Sequence, residues 1–260
     1  RVRLPSRTAS NPFMHQFSGG VDHQIADGTA IGFNFIRMYG QDLGFTRNVN
    51  ACIASCAKKP KIYPLDPSGI RMELLDQSNI TKSNQFQMRL EKRFVTGRAL
   101  SMSYTLGEIK EYASGPADHY NLRAHFGPTR NDIRHRFTGN YTHELPGGIR
   151  LGVIGTFTSK APYNITTGND DNGDGQRRDH PEGGGYNSGR GDNLKNVDIR
   201  TSKIFMFGES QSLEVMWEMF NVFNTVNLVN YNGNMRSSRF GKPSIARDPF
   251  QGQFGIRYTF

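Results

Sequence analysis

The reading turns on the stretch Gln251-Gly252-Gln253-Phe254-Gly255-Ile256-Arg257-Tyr258-Thr259-Phe260. Phe254, Ile256, Tyr258 and Phe260 fall on every second position, and Gln253, Gly255, Arg257 and Thr259 fill the gaps. Successive side chains of a strand point to opposite faces, so this is a strand with one apolar and one polar face. Its apolar face ends on an aromatic residue at the last position.

The same alternation recurs upstream. Leu213, Val215, Trp217 and Met219 alternate with Glu214, Met216 and Glu218; Val197, Ile199 and Thr201 alternate with Asp198, Arg200 and Ser202. Ile149, Leu151, Val153 and Phe157 form another apolar face. Phe137, Tyr141 and Leu145 follow Ile133 against Arg134, Arg136, Thr138, Asn140 and Glu144. Earlier segments run through Leu100–Leu106, Phe86–Phe94, Ile31–Phe35 and Phe17–Ile25. About nine strands are predicted. Tight turns fall near 27–28, 96–98, 146–148 and 208–211. Long polar segments fall near 42–79, 110–131, 160–194 and 225–249. Short and long connections in alternation are the plan of an outer-membrane barrel, with periplasmic turns and extracellular loops. The expected fold is therefore all-β: an antiparallel transmembrane β-barrel segment of meandering strands, an incomplete barrel. A secreted β-sandwich would also alternate, with shorter strands and turn signals every ~8–12 residues.

Composition agrees. The mean hydropathy of −0.61 looks water-soluble, and no apolar run is long enough for a transmembrane helix. A barrel shows only alternate residues to lipid, so its mean hydropathy stays low. The formal charge is +9, but the basic residues are scattered singly through strand patterns and not gathered on one helix, so no nucleic-acid partner is expected. Cys52 and Cys56 have no companion ligands for zinc; a disulfide within one loop fits them and implies an oxidising compartment.

Several segments resemble the C-terminal barrel of TonB-dependent receptors, in particular the Oar-like subgroup. They are Asn131-Asp132-Ile133-Arg134-His135-Arg136-Phe137-Thr138, Ala161-Pro162-Tyr163-Asn164-Ile165-Thr166-Thr167-Gly168-Asn169-Asp170, Val197-Asp198-Ile199-Arg200-Thr201-Ser202-Lys203, Glu218-Met219-Phe220-Asn221-Val222-Phe223-Asn224-Thr225-Val226-Asn227 and the terminal strand. The resemblance implies a monomeric barrel of the bacterial outer membrane that takes up a scarce small ligand. It implies contact with outer-membrane lipid and lipopolysaccharide, with the barrel-assembly machinery, and with the TonB complex through a plug domain. On that pattern residues 1–260 are the C-terminal portion of a barrel, with plug and early strands absent. A passive porin-like channel or a surface adhesion barrel is the alternative.

Candidate sites follow. Phe254, Ile256, Tyr258 and Phe260 are expected to face lipid, and Arg134, Arg136, Arg200, Glu214, Glu218 and Arg257 the lumen. Asp170, Asn172 and Asp174 stand at alternate positions as at the start of a calcium loop, but the twelfth position from Asp170 is Pro181, not Glu; an Asp/Asn/Gly turn takes precedence over calcium. The glycines 183–185, 189 and 191 lack the Lys-Ser/Thr of a phosphate loop and read as a flexible loop. Asn221, Asn224 and Asn227 are expected to cap backbone groups at the strand end, and Trp217 to join an interfacial aromatic belt. No catalytic grouping is present and no cofactor is expected, calcium aside.

Overall fold

The computed structural model describes all residues except 6–9, 54–60, 95–96, 113–114 and 209, and the side chains of 123–124. Its strands are β1 (Val2–Leu4), β2 (Phe13–Ala26), β3 (Thr29–Asn48), β4 (Met72–Phe94), β5 (Arg98–Tyr112), β6 (Phe126–Pro128), β7 (His135–Leu145), β8 (Ile149–Thr158), β9 (Pro162–Tyr163), β10 (Gly189–Arg190), β11 (Leu194–Phe207), β12 (Gln211–Phe220), β13 (Leu228–Tyr231), β14 (Pro243–Ala246) and β15 (Gln251–Thr259). A short 3₁₀ turn, Leu122–His125, precedes β6.

Nine of these strands form one antiparallel meander in the order β15-β12-β11-β8-β7-β5-β4-β3-β2, with β1 and β6 added at its margin. These are the nine strands that the alternation predicts. The sheet is not closed: β2 and β15 are its two edges.

The pairing register keeps charged side chains mostly on one face and large apolar ones mostly on the other, with exceptions such as Ile204 opposite Glu214 and Ile154 opposite Asp198. Opposite Arg200 stand Glu218 on β12 and Gly152 on β8; opposite Glu214 stands Arg257 on β15. On the other face Trp217 lies between Thr201 and Phe254, and Val215 opposite Ile256. A slip of one residue would exchange the two sets, so an apolar face held in lipid fixes the register. Phe254, Ile256 and Tyr258 all lie on the apolar face and are strongly exposed. Few apolar side chains are buried anywhere: the buried hydrophobic residues described are Phe45, Ala51, Cys52 and Ala117, all outside the apolar band. A water-soluble sandwich would bury its apolar face between two sheets.

The apolar band has a measurable height. On β5 it runs from Leu100 to Leu106, bounded on the same face by Arg98 and Glu108. The ten residue steps between the flanking Arg98 and Glu108 cover ~33 Å along the strand, which a tilt of ~40° reduces to ~25 Å, so the two charges stand at the edges of an outer-membrane lipid band.

Two expectations are corrected. The connection near 42–79 is shorter, because β3 continues to Asn48 and β4 begins at Met72. At 23 residues β4 is about twice the ~9–11 that span a bilayer. Above the band its apolar-side positions become Asn84 and Lys82, paired with Arg37 and Tyr39 on β3, so alternation fades while the backbone ladder continues. The second correction concerns the glycine-rich segment. A Cβ on Gly189 would stand 2.6 Å from the Tyr163 ring, and one on Gly191 2.6 Å from that of Tyr231. The two rings stack with centroids 5.4 Å apart. Gly189 and Gly191 let this aromatic pair lie on the backbone, so this part is a packed platform and not a loose loop.

Candidate functional site: the polar face and the loop end

On the polar face of β11, β12 and β15 the side chains form a charge ladder. Arg257 Nη1 is 3.6 Å from Glu214 Oε2, and Glu214 Oε1 is 3.6 Å from Arg200 Nη2. Arg200 Nη1 is 3.3 Å from Glu218 Oε1, and Gln253 donates to the other Glu218 oxygen. Cross-strand register places opposite charges side by side without any loop residue. A second ladder on β2 and β4 joins Asp22 to Arg89 at 3.1 Å and Arg89 to Glu91 at 3.5 Å.

Arg200, Glu214, Glu218 and Arg257 are thus brought together as their alternation predicts. Arg136 shares their face but stands apart, in β7 opposite Thr158. Arg134 does not join them. It falls in the bend before β7, where its carbonyl accepts from Gly107 N–H at 3.0 Å, and the neighbouring cavity is lined by Ile133 and Arg136 instead.

That cavity, about 840 Å³, opens at the loop end of the polar face. Arg130, Arg136 and Arg247 bring positive charge to it, and Asp198 and Asp248 negative charge. Asn221 and Asn227 hold its wall. Asn227 bridges the Lys195 backbone, accepting from its N–H at 2.8 Å and donating to its C=O at 2.7 Å. Asn221 donates to the carbonyls of Thr225 and Asp248 and accepts from Thr225 N–H. Asn224 accepts from Phe250 N–H at 3.0 Å. All three asparagines therefore cap backbone groups, as expected of them. Trp217 faces outward beside Phe254, near the loop end of β12.

Asp132 lay unremarked within its segment. It is buried; one oxygen accepts from Ile109 N–H at 2.8 Å, and the other meets Arg190 Nη2 at 2.7 Å. It thereby ties β5, the approach to β7 and β10 together. Only its place directly before the alternating run hints at this, because Arg190 is 58 residues away.

Asp170, Asn172 and Asp174 each accept a backbone N–H within their own loop: Asp170 Oδ2 from Gly175, Asn172 Oδ1 from Asp174, and Asp174 Oδ1 from Gln176. Asp179 accepts from the N–H groups of Asp171 and Asn172. These are turns closed by side chains. Among the described residues no group of three or more His, Cys, Asp or Glu is placed to hold a metal ion. The carboxyl of Asp174 is pushed up to about 6 by burial, with Asp170 and Asp179 adding repulsion. Cys52 is buried, and Cys56 lies outside the described residues.

A family described as "Outer membrane beta barrel domain" matches residues 2–185 and 183–253. The chain belongs to this outer-membrane β-barrel family. Its site is therefore part of a barrel of the bacterial outer membrane, with the short turns periplasmic and the long loops extracellular. Solved structures with the same fold include the outer membrane transporter YddB of Escherichia coli (TM-score 0.68, 11% identity, 99% of this chain and 34% of that one). The FrpB iron transporter of Neisseria meningitidis aligns at TM-score 0.62 with 10% identity, over 99% of this chain and 33% of that one. The ferripyoverdine receptor of Pseudomonas aeruginosa aligns at 0.59 with 12% identity, over 96% and 27%. At such identities the likeness shows the fold. The chain spans about a third of the length of these proteins. No curated protein matches the sequence.

Proposed function

We propose that the chain supplies wall and extracellular loops to a receptor barrel that takes up a scarce ligand with energy from the TonB complex. The observation that carries this reading is the charged face: charge ladders along the strands lead up to a cavity beneath long folded loops. On this reading that face lines the lumen, and Arg200, Glu214, Glu218, Arg257 and Arg136 form part of its wall. The paired charges keep the wall hydrated without a large net field, so the ligand is selected at the loop end. Family membership and the likeness to an iron transporter and a siderophore receptor support transport over adhesion. The test uses the purified full-length protein. Binding to the periplasmic domain of TonB, together with no steady conductance in planar bilayers, is the expected result. An open ohmic channel with no TonB binding would establish the passive porin-like alternative.

A further inference from the structure

A second cavity, about 360 Å³, lies in the extracellular layer, where β1 pairs with the top of β4 and two loops close over them. Arg1, Arg3, Arg71 and Arg178 line it, and Glu73 is the acidic side chain among its lining residues. Glu73 is 4% exposed and already engaged: it takes hydrogen bonds from Arg1 and from Arg71 at 2.9 Å, with Arg3 at 3.9 Å. Burial alone would raise its carboxyl, but the hydrogen bonds and charges of Arg1 and Arg71 outweigh that and hold it below the usual glutamate range. Arg178 reaches the cavity from another loop and makes no ion pair among the described residues. Three guanidinium groups thus share one carboxylate and a fourth, Arg178, stands beside them unpaired among the described residues, a surplus of three positive charges.

The neutral wall suits the same chemistry. His119 is buried; its Nδ1 accepts from Asn48 N–H at 3.2 Å, and its Nε2 faces the Gln176 carboxamide. Burial, with Arg71 and Arg178 adding repulsion, pushes its imidazolium down to about 4, so it stays neutral at physiological pH and adds polarity without charge. Guanidinium forks match carboxylate and phosphate oxygens in pairs, and a walled pocket strengthens that match. A volume within the ~300–1,000 Å³ of small-molecule sites admits a citrate- or pyrophosphate-sized anion.

We infer that this cavity binds a small soluble polyanion, a di- or tricarboxylate or a condensed phosphate, gripped by Arg178, which has no ion pair among the described residues, and by Arg3, whose contact with Glu73 is a loose 3.9 Å. The inference takes its extracellular placing from the receptor reading, but the site is tested without energy coupling. Isothermal titration of citrate and of pyrophosphate into the purified full-length protein, in detergent at ~0.15 M salt, reads it directly. Because Arg178 makes no ion pair or side-chain hydrogen bond among the described residues, Arg178→Gln removes none of the bonds described there and should weaken binding tenfold or more. Arg178→Lys should restore part of it, and Arg3→Gln with Arg178→Gln should abolish it. Arg239→Gln, on an exposed loop, should leave it unchanged, and heat-modifiable mobility should be the same for all. Absence of binding of either anion by the unmodified protein, or equal binding by Arg178→Gln, would overturn the inference. So would equal loss in Arg239→Gln, which would mark diffuse surface attraction. Failure of TonB binding or an open conductance would count against the receptor reading and leave this one standing.

Discussion

Asn221 shows what a single side chain does at the loop end of a strand. Its φ of 48° lies in the left-handed region, and its side chain makes three hydrogen bonds to backbone groups of Thr225 and Asp248, in the connection between β12 and β15. Asparagine tolerates that φ and also supplies the bonds; alanine does neither. Asn221→Ala is expected to cost about 2–4 kcal/mol in urea unfolding of the full-length protein in vesicles, at about 1 kcal/mol net per lost bond plus strain. Asn221→Gly keeps the conformation, so its loss should be smaller by about 0.5–1 kcal/mol. Equal losses would show that backbone strain contributes nothing. The asparagines were legible as caps because a short carboxamide at a strand end serves backbone groups whatever their partner. The partner of Asn221 at Asp248 was not, since 27 residues intervene. Asp174 carries a second prediction. Its carboxyl titrates near 6 in the folded loop against 3.8 when unfolded, chiefly through burial. The folded loop therefore holds the proton more tightly. Its order is greatest below about pH 4, falls as pH rises towards 6, and is constant above. Hydrogen exchange of the amides of residues 172–176, corrected for intrinsic rates, should show more protection at pH 5 than at pH 7.5. Asp174→Asn should flatten that difference; a pH-independent unmodified loop would sink the assignment.

At the scale of the strand, β15 separates what lipid demands from what water allows. Ile256 lies at mid-strand on the apolar face opposite Val215, and Arg257 on the polar face near Glu214. Ile256→Arg puts a charge into the lipid band and should cost about 2–4 kcal/mol. Arg257→Gln removes one exposed ion pair at 3.6 Å and should cost under about 1 kcal/mol. Comparable losses, measured by vesicle unfolding, would contradict the assignment of faces. The same asymmetry explains which elements the chain discloses. Where one face meets lipid, alternation is enforced and all nine strands can be read. Above the lipid both faces are wet, so the upper parts of β3 and β4 keep their ladder but lose their pattern. Two irregularities in that ladder, at Gly40/Leu43 and Leu43/Phe45, blur the period further. The arginine cavity is less legible still, because Arg1, Arg71 and Arg178 come from three distant segments whose meeting depends on the folded loops.

For the whole molecule, strand parity is the strongest constraint. A meander alternates direction at each turn, so the first and ninth strands run the same way. β2 descends from Phe13 to its turn at Asp27-Gly28, and β15 descends from Gln251 to Thr259. Closing these nine strands on themselves would require β2 to pair in parallel with β15, whereas antiparallel closure needs an even number. Each edge instead presents a full row of unpaired N–H and C=O groups, which lipid cannot satisfy. The 260-residue chain, refolded alone in detergent, should therefore give associated species with no heat-modifiable monomer band, while the full-length protein should give that band. Strands that restore an even number between β2 and β15 should also rescue it. A compact heat-modifiable monomer from the 260 residues alone would mean that β2 and β15 do meet in parallel. The two edges would then be a seam of a small barrel and not the ends of an arc within a larger one.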